Sequence, residues 1–147
     1  MQTYIFKTHL FHKKGVSRDI EIPTGVNLYK FAEAIVGAYD FDFDHCFGFF
    51  SRIAESRYFD SERKYELFTD LEDEGIEPTG AESVKKTKVS EVWKHTGDKM
   101  LFLFDYGDNW LFVVELIGFG KKESKIKYPR VIKKISKAPE QYPDAEG

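Results

Sequence analysis

Two hairpin-like strand pairs and one amphipathic helix predict a domain of mixed strand and helix, with the helix lying on an antiparallel sheet. Three observations carry this. Apolar and polar residues alternate at period two near the start of the chain, two strongly apolar stretches, Met100 to Phe104 and Leu111 to Ile117, flank a turn, and a three- and four-residue apolar stripe runs from Leu28 to Tyr39.

Residues 2–11 place Tyr4, Phe6, Thr8 and Leu10 on one face of a strand. Lys13-Lys14-Gly15 supplies a turn, Val16, Ile20 and Ile22 form the apolar set of a second strand, and Pro23-Thr24-Gly25 stops it. Asn27 then reads as the N-cap of a helix over about 27–40, whose stripe is Leu28, Phe31, Ala32, Ile35, Val36 and Tyr39. Alternating acids and aromatics from Asp40 to Phe50 favour extended chain leading into a short strand through Arg52 and Ile53. The acidic, turn-rich stretch 60–82 reads as a long mobile loop with little fixed structure. Ser90 begins a helical turn that Gly97 ends, the Met100 to Ile117 hairpin follows, and the polar tail 142–147 is expected to fray.

The chain has 147 residues, 41% of them hydrophobic and 16% aromatic, which is too apolar for a disordered chain and suits a single domain, 1–147. With 22 basic and 25 acidic residues, the molecule as a whole has no strong pull toward nucleic acid or an anionic membrane. Charge is nevertheless segregated, because residues 121–137 hold eight basic side chains against the single acid Glu123. The lone Cys46 forbids an intramolecular disulfide and a cysteine-built zinc site, and it matches a reducing, cytoplasmic location. No run of about twenty apolar residues is present, so no membrane partner is expected.

The most specific feature is the turn Phe104-Asp105-Tyr106-Gly107-Asp108-Asn109-Trp110, set between two apolar stretches. With Ile20-Glu21-Ile22-Pro23, Phe41-Asp42-Phe43-Asp44-His45 and Tyr128-Pro129-Arg130 in the same order, the chain resembles the Ri-plasmid ORF-3-like family. These are small intracellular proteins named from a plasmid reading frame and also met as insertion-sequence passengers. The resemblance runs from Tyr4 to about Pro143 and leaves 60–82 unmatched. It implies an α+β fold: a mostly antiparallel sheet with one main helix (about 27–40) packed on it and short additional helical turns. It implies no activity. Many relatives place cysteines after Tyr-Pro-Arg and near the following proline, where this chain has Val131 and Ala138, so no cysteine-based metal or redox role carries over.

Asp105 and Asp108 flank Gly107, where glycine permits positive φ and aspartate bonds its own backbone, so turn-making is their first reading. Two carboxylates at a hairpin tip can also hold a cation or receive basic groups, with Glu115 or Asp44-His45 completing the set. Trp110 shares a strand face with Phe112, Val114 and Leu116, which points to the core end beside the turn. Asp44 and His45 are adjacent, and adjacent strand residues face opposite ways, which weakens a direct pair. Arg130 is expected to bridge to Asp105 or Asp108.

The leading functional expectation is a non-enzymatic interaction module whose surface of Asp44, His45, Asp105, Asp108, Trp110, Tyr128 and Arg130 contacts a protein or small ligand. One alternative is nucleic-acid binding through Lys121, Lys122, Lys125, Lys127, Lys133 and Lys134, as in an accessory protein of a mobile element. The other is a metal-dependent hydrolase using Asp105, Asp108 and His45. No cofactor and no resident metal is assigned. Phosphate loops, dinucleotide fingerprints, zinc-protease helices and nucleophile elbows are all missing from the sequence.

Overall fold

The computed structural model describes residues 2–70 and 80–142; the acidic stretch 71–79 and the tail 143–147 lie outside the described residues. Along the chain run β1 (Gln2–Leu10), β2 (Lys13–Pro23), α1 (Leu28–Ala38), β3 (Phe47–Phe50), β4 (Lys64–Glu66), α2 (Leu67–Asp70), β5 (Glu82–Ser83), α3 (Val89–Val92), β6 (Lys99–Phe104), β7 (Trp110–Lys121) and β8 (Arg130–Ile135). The strands form one sheet in the order β5-β4-β3-β6-β7-β1-β2-β8.

This architecture corrects the expected α+β arrangement of a mostly antiparallel sheet under one main helix. Among the described residues, 42% lie in strands and 16% in helices, an eight-stranded mixed sheet with three small helices. The sheet is mixed because β4 and β5 pair in parallel. β4 lies within the 60–82 excursion and β5 begins at its end, where the sequence is marked only as acidic and turn-rich, and strands of three and two residues are too short for alternation to show. β8 is hidden for another reason: it is an edge strand, and the lysines that keep an exposed edge from pairing with other chains read in sequence as a solvated basic run.

Alternation decides which side of the sheet is buried. Tyr4, Phe6, Thr8 and Leu10 of β1, with Ile20 and Ile22 of β2, turn to a front face covered by α1 and by Trp93. Asn27 caps α1 as the sequence predicts, its side chain accepting from the Lys30 N–H at 2.8 Å, and Leu28, Phe31, Ala32, Ile35 and Val36 are buried. Phe47, Phe49, Phe102, Phe104 and Phe112 complete the front face. On the back, Phe50, Leu101, Leu103 and Leu111 form a smaller core with Phe11, Tyr58 and Tyr106.

Two buried polar devices organise the edge. Arg18 is 3% exposed and has no carboxylate within ion-pair distance among the described residues. It donates instead to the carbonyls of Ala38 at 2.9 Å, Ser17 at 2.7 Å, Ile135 at 3.1 Å and Ser136 at 2.9 Å, and it lies 5.0 Å from the Tyr39 ring centroid. The carbonyl end of α1, with its partial negative charge, and the ring face compensate the cation. Burial pushes the Tyr39 hydroxyl up to about 12, so it stays protonated. It donates to Thr8 Oγ1 at 2.9 Å, because the Thr8 proton is committed to the Arg18 carbonyl.

On the other face the buried Glu21 carboxylate takes Arg130 Nε at 2.9 Å and Nη2 at 2.8 Å through one oxygen and Thr3 Oγ1 at 2.6 Å through the other. Gly120 makes room for it, since a Cβ there would lie 2.7 Å from both Glu21 Oε2 and Thr3 Oγ1.

Replacing Arg18 by Met keeps the stem and removes the donors. Urea unfolding is expected to show a loss of roughly 3 kcal/mol, with amide exchange accelerating first in β8, whose end Arg18 holds. Asp98 gives a pH test. Its carboxylate accepts from the N–H groups of His95 at 2.9 Å and Lys94 at 2.8 Å, which hold its pKa below the usual range. Its stabilising contribution is present above the unfolded value of about 3.9 and is lost as pH falls through the folded value. Asp98→Asn is expected to flatten the acid limb of stability against pH below about 4; an unchanged slope contradicts this.

Candidate functional site

Four segments meet at one end of the sheet: the β1–β2 turn, the loop from Asp40 to Cys46, the β6–β7 turn and a C-terminal strap from Lys137 to Tyr142. Gln141 pins the strap by a two-way amide bond, accepting from the Asp42 N–H at 2.6 Å and donating to the Asp42 carbonyl at 3.1 Å. The pairing imitates one rung of a strand ladder.

The β6–β7 turn is built around Asp105. Its Oδ1 accepts from the N–H groups of Gly107 at 3.0 Å and Asp108 at 3.3 Å, and its own N–H donates to the Cys46 carbonyl at 2.9 Å. The expected positive φ at Gly107 is not what closes the turn. Asp105 (φ 68°) and Asn109 (φ 52°) take the left-handed conformation, which short polar side chains tolerate. Gly107 matters for proximity, because a Cβ there would come within 3.3 Å of Asp105 Oδ1.

The second oxygen of Asp105 faces His45, whose Nε2 lies 3.4 Å from it and 3.5 Å from Asp44 Oδ1. The expectation that Asp44 and His45 point apart therefore fails, for a local reason: residues 41–46 are not in a strand, so alternation does not apply. Tyr142 completes the group, donating to Asp44 Oδ2 at 2.9 Å and lying 2.6 Å from His45 Nε2. Since the Tyr142 proton is used on Asp44, neutral His45 must carry its own proton on Nε2. Lost hydration, then the bond to Asp44, push Tyr142 up to about 12, so it stays a donor. Among the described residues, no group of three or more His, Cys, Asp or Glu is arranged to hold a metal ion.

Beside this network lies a cleft of about 500 Å³, walled by Leu10, Trp110, Leu111 and Pro139 and rimmed by His12, Lys13, Asp108 and Asn109. Trp110 packs its ring on Phe41 at 4.7 Å and against the core, as its phase in β7 predicts. Its Nε1 is buried with no hydrogen-bond partner. Trp93, in contrast, donates from Nε1 to the Val114 carbonyl at 3.2 Å. A buried donor left unmet is costly and uncommon.

The sequence profile of the plasmid pRiA4b ORF-3-like proteins matches residues 2–146, nearly the whole chain. The chain belongs to the plasmid pRiA4b ORF-3-like protein family. No curated protein matches it. Among solved structures it is similar to the protein of unknown function MM3350 from Methanosarcina mazei Go1, with a TM-score of 0.71 and 21% identity over 94% of this chain and 71% of the other. That likeness shows a shared fold.

In this ORF-3-like protein the site residues read from sequence separate into two groups. Asp44, His45, Asp105, Asp108 and Trp110 converge; Tyr128 and Arg130 do not. Arg130 pairs with Glu21 instead of the turn aspartates, and its guanidinium sits 5.7 Å from the Tyr128 ring. The register of β8 opposite β2 brings Arg130 to Glu21, near the far end of β2 from the Asp105 turn. Nor do the basic residues of 121–137 form one stripe: Lys133 pairs opposite Asp19 and Lys134 opposite Arg18, on opposite faces of the sheet. Sequence reading misses Leu10, His12, Lys13, Gln141 and Tyr142, which reach the site only through long-range pairing. No helix among the described residues is long and apolar enough to cross a membrane.

The tautomer assignment is open to measurement. Long-range ¹H–¹⁵N spectra of neutral His45 are expected to show Nε2–H in the native protein; an Nδ1–H tautomer contradicts the donor accounting. Tyr142→Phe, which removes the acceptor, is expected to change the His45 ¹⁵N shifts and leave those of His9 unchanged.

Proposed function

We propose that this protein is a non-enzymatic binding module that seats a small ligand, or a short segment of a partner protein, in the cleft beside Trp110. The unpartnered indole N–H carries the reading. A carbonyl or carboxylate brought in by the occupant supplies the missing acceptor as the wall adjusts, while Leu10, Leu111 and Pro139 take up apolar surface. Asp108 has no hydrogen bond or ion pair through its carboxylate among the described residues, which leaves it available to a donor.

The neighbouring acid–base groups support binding over catalysis. Asp44 accepts from Tyr142 and from Gln141 at 3.3 Å, Asp105 accepts from its own turn, and His45 is committed to Tyr142. These groups satisfy one another, as in a folded polar network, and none is left poised toward the cleft.

The chain has two tryptophans, so the test reads two indole signals. Titration with short carboxylate-bearing peptides is expected to shift the Trp110 indole N–H resonance and to leave that of Trp93 in place. Trp110→Phe keeps the ring on Phe41 and removes the donor, and is expected to weaken binding about tenfold, the worth of one buried hydrogen bond. Ligands that bind the Phe variant equally well would sink the proposal.

A further inference from the structure

A second concave surface lies on the front of the molecule, between the exposed flank of α1 and the chain around Pro129. One cleft of about 680 Å³ is walled by Lys30 and Glu33 of α1, by Lys85, Lys86 and Lys88, and by Tyr128. A second, of about 400 Å³, continues past the shared residues Ala34 and Pro129 to Arg130 and Lys134. Together they make a trough alongside a helix about 16 Å long. Five lysines and one carboxylate, Glu33, line it, in a chain whose formal charge is −3, while the Arg130 guanidinium turns away to Glu21.

Lys85 Nζ lies 5.2 Å from the Tyr29 ring centroid, and the backbones that carry these cations are fixed. None of the five lysines has a carboxylate within ion-pair distance among the described residues; only Arg130 is paired, with Glu21. The wall that carries Lys85, Lys86 and Lys88 is bonded to the start of α1: Leu28 N–H donates to Thr87 O at 2.9 Å, Tyr29 N–H to Val84 O at 3.2 Å, and Asn27 Nδ2 to Lys85 O at 3.1 Å. Like charges brought together on a rigid frame repel one another, and a bound polyanion removes that cost. Tyr128 lines the first cleft, with the Glu123 N–H donating to its hydroxyl at 3.1 Å and the Arg130 guanidinium 5.7 Å from its ring centroid.

We propose that this trough binds a single-stranded nucleic acid, with phosphates on Lys30, Lys85, Lys86, Lys88 and Lys134 and a base against Tyr128. A row of cations tracking a groove with an aromatic ring in its wall is the general form of sequence-tolerant single-strand binding. A duplex presents a rigid convex rod to a concave surface, and an acidic peptide has no base to set against the ring. The surface shares Tyr128 and Lys134 with the 121–137 segment but takes its other cations from α1 and from residues 85–88, and it is independent of the Trp110 cleft.

The test is fluorescence anisotropy of the full chain with labelled oligothymidylate and oligouridylate of about ten nucleotides, with a duplex and an oligoglutamate of similar length as competitors. Both single strands are expected to bind at about 50 mM salt, with log affinity falling against log salt at a slope of about −2 to −3.5, as three to five phosphate contacts require. Lys30→Glu with Lys86→Glu is expected to weaken binding at least tenfold. Lys7→Glu with Lys99→Glu, the same charge change on exposed positions of the opposite face, is expected to change it less than twofold. Tyr128→Ala is expected to weaken it about tenfold, and Trp110→Phe to leave it unchanged. The proposal is overturned by no single-strand binding at low salt, by equal losses in the two charge-reversed variants, or by tighter binding of duplex or oligoglutamate.

Discussion

Phe31, at the centre of α1, sits 4.5 Å from the ring of Phe6, 5.5 Å from that of Trp93 and 6.0 Å from that of Phe49, so one side chain joins the helix to three separate parts of the chain. The rest of the molecule depends on this contact. Strands β1 and β3 are not neighbours in the sheet, and aromatic packing across their shared front face fixes them under a common cover. Truncating such a ring to alanine ordinarily costs about 3–5 kcal/mol, a large part of a domain's net stability. Because the cover is an 11-residue helix together with a short helical turn and Trp93, the sheet supplies most of the architecture.

Burying one face leaves polar groups at its margins to be satisfied, and Arg18 and Glu21 do this on opposite sides of β2. Arg18 gathers carbonyls from the end of α1 and the end of β8 on the front; Glu21 receives Arg130 and Thr3 on the back. Edge strand β8 is thus hung on β2 by side chains as well as by its ladder. The basic trough inherits its geometry from these bonds, since Arg130 and Lys134 belong to the strand they hold.

The two hairpins, the N-cap at Asn27 and the stripe of α1 were legible in the sequence because each rests on local periodicity or on a cap within one turn. So was the turn chemistry of Asp105. Arg18 was legible in principle: it falls in phase with Val16, Ile20 and Ile22, and a charged residue on an apolar phase signals a buried, bonded guanidinium. The parallel β4–β5 pair, the β8 edge and the Arg130–Glu21 bridge were not. Each pairs residues far apart in the chain, and neither composition nor spacing encodes which partner a lysine-rich strand or a lone arginine will meet. The Asp44–His45 contact was misread for a smaller reason, a strand periodicity applied to a loop.

The signature turn divides its labour by residue. Phe104 is buried, Asp105 spends one oxygen on closing the turn and turns the other to His45, and Gly107 provides the space that closure needs. None of these is free to act on anything outside. Asp108 and Asn109 are exposed and Trp110 stands in the cleft wall; Asn109 suits the left-handed backbone of the turn, while the Asp108 carboxylate takes no part in its closure. Folding alone therefore accounts for the first half of the motif. The second half, an unpaired carboxylate, an amide and an indole donor held in one wall by the turn, is the part that the proposed binding role addresses.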